Sequence, residues 1–176
     1  MTHPLRCRAV ALGVGIACAT AAPAMAQGAA ANLPTNAQTP AQAPVVADGL
    51  IKVRSAYGVE ETIARIRKAI ADKGILFFQA VDQQKLAADA GITLRPSTLL
   101  TFGNPPLGAQ FLTSNPFSGL DWPVRLLVLQ DDAGVVWAAY TDFSWIARRH
   151  GIQDRTAQFA TASGVVDSIT ATIRAR

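Results

Sequence analysis

Few residues in this chain have side chains suited to chemistry, and most of them sit near the ends of apolar runs. Asp82, Asp121 and Asp142 are the carboxylates placed this way. Two carboxylates in one pocket could share acid–base work or hold a hard cation. Each also has a local use: Asp82 as a cap between strand and helix, Asp121 in a turn before Pro123, and Asp142 as a helix N-cap. Asn104 lies between Gly103 and Pro105 at the end of an apolar run, offering a donor and an acceptor where glycine lets a ligand approach the backbone. Asn-Pro is equally a plain turn signal. Arg125 falls inside the apolar run 124–129, where an unpaired buried charge is costly. It therefore needs a partner, with Asp121 nearest in sequence, or an anionic ligand; Asp121 in turn has Arg95 or Arg125 as candidate partners. Asn104, Asp121 and Arg125 are the candidate ligand-binding residues.

The familiar catalytic signatures are missing. There is no phosphate loop ending in Gly-Lys-Ser/Thr, no Gly-x-Ser-x-Gly, no His-Glu-x-x-His and no haem attachment motif. A Ser/His/Asp triad would have to use His150, and nothing in the sequence places Ser97, Ser114 or Ser118 beside it. His150 precedes Gly151 at a helix end, where a cation complements the dipole. No catalytic residue, metal ligand set or cofactor is expected from these patterns.

The N-terminal stretch reads as an export signal. Arg6 and Arg8 precede an apolar run from Ala9 to Ala22, and Ala24-Met25-Ala26 supplies small residues for cleavage before Gln27. The run is broken by Gly13, Gly15 and Pro23 and falls short of the ~20 apolar residues of a membrane span. Cys18 after Gly15-Ile16-Ala17 leaves a lipid-anchored form as an alternative. Cleavage would remove Cys7 and Cys18, and with them disulfides and thiolate chemistry. It would also remove Arg6 and Arg8, so the net charge falls from +4 to +2, with 14 of the 16 basic residues left against 12 acidic ones. That charge is too small and scattered for nucleic acid, which calls for a clustered basic face. A periplasmic or secreted protein is expected, free of the membrane after cleavage.

Residues 27–47 are rich in Ala, Gln and Pro, with Pro34, Pro40 and Pro44 spread through them, and read as a flexible linker. One domain is expected from 48 to 176. A half-buried strand falls in 49–56, and Val59, Ile63, Ile66 and Ile70 then lay an apolar stripe along a helix stopped by Gly74. A strand over 75–81, a short helix over 83–90 and a strand over 96–102 follow. The proline-bearing stretch 104–119 is expected to be irregular, with one helical turn over 108–112. Runs at 124–129 and 135–140 flank an Asp- and Gly-containing turn, which gives a hairpin. A short helix spans 143–149. A last helix over 154–174 carries Phe159, Ala162, Val166, Ile169 and Ile173 as a seam, either packed on its own sheet or forming a homodimer. Gly164 weakens that helix and needs a packing reason. The direct hairpin argues for an α+β fold with an antiparallel or mixed sheet.

Two neighbouring segments, Phe102-Gly103-Asn104-Pro105 with Gly108 and Leu120-Asp121-Trp122-Pro123-Val124-Arg125, carry a resemblance to the domain-of-unknown-function family 302. Glu60-Glu61-Thr62, Val81-Asp82, Ala90-Gly91, Leu94-Arg95-Pro96, Tyr140 and Arg149-His150-Gly151 extend it over residues 55–152. The resemblance implies a small curved antiparallel sheet with helices on one face. The chain departs from the family pattern at Gln83, where His is common, and at Gly58, Ala109, Gln110 and Trp122. Without the His, a metal or acid–base role at that position is lost.

These readings converge on an exported, non-enzymatic single-domain protein that binds a small ligand or a protein partner. A carboxylate-dependent, hydrolase-like enzyme using Asp82 and Asp121, and a structural or oligomerising protein using the last helix, remain the alternatives.

Overall fold

The computed structural model describes residues 48–175. The expected leader, lipid-anchor site and linker at 1–47 lie outside the described residues.

Alternation builds the sheet. Strands β1 (Leu50–Arg54), β2 (Leu76–Asp82), β3 (Ser97–Gly103), β4 (Val124–Gln130) and β5 (Val136–Thr141) form one antiparallel sheet in the order β1-β5-β4-β3-β2. Leu100, Phe102, Val124, Leu126, Val128, Val136, Ala138 and Tyr140 alternate onto one side and are buried. Helices α1 (Val59–Asp72) and α5 (Thr156–Thr170) supply the matching apolar faces, Ile66, Ala69 and Ile70 from the first and Phe159, Ala162, Val166 and Ile169 from the second. The expected α+β class and antiparallel sheet are therefore present. The seam of the last helix is spent on the protein's own core, and Ile173, in the 3₁₀ turn that follows, is fully buried.

Several details differ from the sequence expectations. The stretch after Asn104 is a full helix, α3 (Pro105–Ser114), followed by a 3₁₀ turn at Pro116–Asp121. Pro105 and Pro106 do not break α3 because they occupy its first turn, where the missing N–H groups need no partner. Asn104 and Asn115 act as the N-caps of these two pieces. Gly164 is exposed and nothing lies within 4 Å of where its Cβ would be, so no packing requirement explains it. Helices α2 (Gln83–Asp89) and α4 (Phe143–Arg149) are short, and both begin at an aspartate whose carboxylate accepts a backbone N–H: Lys85 N at Asp82 and Ser144 N at Asp142.

Candidate functional site

The turn before β4 delivers Asp121 into the protein, and its side chain keeps only 3 % of its exposure. Three donors meet it. Arg125 Nη2 lies 3.0 Å from Oδ1. Arg149 Nη1 lies 3.2 and 3.1 Å from the two oxygens. His150 Nε2 lies 2.7 Å from Oδ2, and because a carboxylate accepts, that ring nitrogen carries the proton. Helix α4 places Arg149 and His150 here, and Asn115 Nδ2 fastens the same end of α4 by donating to the His150 carbonyl at 2.8 Å.

Arg125 is not buried among apolar groups, as its sequence setting implied. Its side chain points to the uncovered side of the sheet and is 49 % exposed, while that of Arg149 is 43 % exposed. One carboxylate thus faces two guanidinium groups, leaving this corner with a surplus of positive charge at the surface. Arg95 takes a different partner, Asp132, at 2.7 Å.

Asn104 occupies a separate place. Its carboxamide oxygen accepts Leu107 N at 3.2 Å and caps α3, and its side chain borders a cavity of about 320 Å³. Phe102, Leu107, Trp122, Val124, Phe143 and Val165 are among the walls, with Lys73, Asn104 and Thr161 supplying polar groups. Trp122 forms one wall because two glycines admit it. A Cβ on Gly108 would lie 1.9 Å from its Cε2, and one on Gly103 would lie 2.8 Å from its Cζ2. Phe111 meets the Trp122 ring edge-on at 6.1 Å and stacks on Phe159 at 4.3 Å, tying α3, the turn and α5 together. The Trp122-Pro123 peptide is cis.

The two motif segments therefore meet in space. Gly103 and Gly108 from the first seat Trp122 from the second, and Asp121 and Arg125 from the second join Arg149-His150 from α4. Asp121 and Arg125 come together, whereas Asn104 belongs to the cavity beside them. Asp82 and Asp121 do not converge: Asp82 sits at the sheet end where it pairs with Thr98, and Asp121 precedes the opposite end, where Val124 pairs with Phe102. Arg149 and His150 were not read from the sequence as partners of Asp121. A basic pair at a helix end gives no hint of which turn lies against it. Among the described residues, no group of three or more His, Cys, Asp or Glu could hold a metal ion.

Comparison with known proteins places the chain in a family. The family model "Domain of unknown function DUF302" matches residues 51–174. A solved structure of an uncharacterized conserved DUF302 protein from Bacillus stearothermophilus superposes with a TM-score of 0.66 at 18 % identity, covering 72 % of this chain and 98 % of that one. In sequence, the chain is 36 % identical over 113 residues to the fluoride-specific ion channel FluC 1 of Brucella suis biovar 1 (strain 1330), covering 64 % of this chain and 44 % of the relative. It matches the fluoride-specific ion channel FluC 2 of Brucella melitensis biotype 1 equally well over 42 % of that protein, so it spans less than half the length of these relatives. The chain belongs to the DUF302 family, a domain of unknown function that takes in this corner of the fold.

Proposed function

We propose that this chain is an exported binding module that holds a small, largely apolar molecule in the cavity between β3, α3 and α5. The observation that carries the reading is the cavity itself. Its volume of about 320 Å³ lies at the small end of ligand pockets, its walls are apolar and aromatic, and its few polar groups are Lys73, Asn104 and Thr161. Lys73 and Asn104 are both exposed, so a ligand with a short apolar body and an anionic end, such as a medium-chain carboxylate, fits the chemistry. Export is supported by the sequence of residues 1–26 and is tested by the N-terminal mass of the protein recovered from a periplasm.

Titration with octanoate, followed through the amide signals of α3 and α5, tests the binding reading. Saturable shifts confined to the cavity walls are expected, and Val165→Phe, which fills the space, should weaken them at least tenfold while leaving the rest of the spectrum in place. Shifts unaffected by Val165→Phe, or absent altogether, would remove the cavity as the site.

The fluoride-specific channels among the relatives, together with the positive surplus around Asp121, favour a second reading: anion binding at Arg125 and Arg149. None of the described helices is long and apolar enough to cross a membrane, so we infer that the shared segment is an accessory domain in those channels. Sodium fluoride titrated against sodium chloride should move the Arg125 and Arg149 side-chain signals selectively; equal responses to the two salts would discard this reading.

A further inference from the structure

We propose that the cavity takes its ligand in one direction, the anionic head at Lys73 and the apolar tail toward Phe143, so that Phe143 limits how long the tail can be; the orientation and the limit rest on the ligand reading above. Sheet order supplies the direction. Lys73 and Ile75 lead into β2, Asn104 follows β3, Trp122 leads into β4 and Phe143 follows β5, and all of them line the cavity. These strands are neighbours in the order β5-β4-β3-β2, and Leu76 pairs with Gly103 as Phe102 pairs with Val124, so the cavity runs across one end of the sheet. Three inter-strand gaps separate β2 from β5, a span of about 14 Å. An unbranched chain uses that length, whereas a compact ligand would fill only part of it.

Burial follows the same order. Lys73, Asn104 and Thr161 are exposed and mark the mouth, whereas Phe102, Val124, Phe143 and Val166 are buried. Asn104 spends its carboxamide oxygen on Leu107 N, and Thr161 spends its hydroxyl proton on the Ala157 carbonyl at 2.9 Å. The donors these three side chains still offer are the Lys73 ammonium and Asn104 Nδ2. Lys73 makes no ion pair among the described residues. A carboxylate is therefore satisfied at the mouth, while one at the far end would be buried among apolar groups. Behind Phe143 lies a void of only about 10 Å³, with Asp121 and Arg125 among its walls. Val124 and Phe143 line both spaces and form the partition between them. The void has room for about one water, so a tail cannot continue into it. Helix α4 holds this stop in place from both ends. Asp142 N donates to the Gly49 carbonyl at 2.9 Å before its first residue, and Arg149 and His150 engage Asp121 at its other end.

Titration of the purified full chain with unbranched carboxylates from hexanoate to tetradecanoate, and with octanedioate beside octanoate, tests it. Affinity should rise with length to a maximum and then fall. Octanedioate should bind roughly a hundredfold more weakly than octanoate, because its second carboxylate would have to be buried unpaired. Phe143→Ala should move the maximum to longer chains. Lys73→Gln should weaken octanoate about tenfold, leave octanol unchanged and keep the maximum where it is. Nuclear Overhauser contacts from the terminal methyl of octanoate to the Phe143 ring are expected in the unaltered protein, and they keep the test valid if Phe143→Ala fails to fold. A terminal methyl beside Lys73, octanedioate binding as tightly as octanoate, or equal losses of octanoate and octanol in Lys73→Gln would overturn the orientation and leave the cavity a ligand site. A maximum unmoved by a folded Phe143→Ala would overturn the length limit. No saturable shift in the cavity walls with any of these chains would remove the ligand reading, and this inference with it.

Discussion

At the residue scale, Asp121 is the group on which most depends. Its carboxylate is buried and receives Arg125, Arg149 and His150, so it joins the start of β4 to the end of α4. Removing one partner from a buried ion cluster typically costs 3–5 kcal/mol, because the remaining charges lose their compensation. Both arginines here reach water, which places Asp121→Ala near the lower end, about 3 kcal/mol in urea denaturation. A loss under 1 kcal/mol would show that solvent replaces the carboxylate freely. Gly108 is the other decisive residue. The Trp122 ring occupies the place of a Cβ, so Gly108→Ala must displace the ring or bend α3, and overpacking of this kind costs roughly 1–3 kcal/mol. Trp122 fluorescence should shift along with the stability; an unchanged spectrum and midpoint would contradict the contact. Asp121 and Arg125 were legible as a pair because they are four residues apart around a turn. Arg149 and His150 were not, because they approach from 28 and 29 residues away.

At the element scale, periodicity revealed most of the architecture. Ile66 and Ile70 of α1, and Phe159, Ala162, Val166 and Ile169 of α5, lie where their spacing put them, under the sheet. The exception is α3. The prolines of 104–119 predict an irregular stretch, yet Pro105 and Pro106 fall in the first turn behind the Asn104 cap, the place where proline suits a helix. Proline's effect on a helix depends on its position within the element, which the sequence alone does not mark there. Gly164 supplies the test at this scale. It sits exposed within Thr156–Thr170 with open space around it, so no contact opposes a side chain. Gly164→Ala should stabilise the protein by about 1 kcal/mol, through backbone entropy lost from the unfolded chain and better helix propensity. A destabilised variant would mean that a partner, absent among the described residues, packs on this side of α5.

At the scale of the whole molecule, the question is what holds the helix layer to the sheet besides apolar contact. Tyr140 answers part of it. From β5, and nearly buried, it donates its hydroxyl to Asp167 of α5 at 2.6 Å. Burial, then the bond to Asp167 and the charge of that carboxylate, hold the phenol well above its ordinary value of 10.0. The consequence for stability has a definite sign. Below pH 10 both the folded and the unfolded chain keep this proton, and the contact contributes fully. Above it the unfolded chain releases the proton while the folded chain retains it, so stability falls as pH rises toward the folded value. The difference between the wild type and Tyr140→Phe isolates the phenol. Neutral-pH urea denaturation should show the variant weaker by about 1.5 kcal/mol, the typical worth of a bond to a charged group. Above pH 10 the two proteins should converge, because the wild type loses an advantage that the phenylalanine never had. Curves that stay parallel to high pH would mean that Tyr140 titrates as it would in water, and that apolar packing alone carries α5 on the sheet.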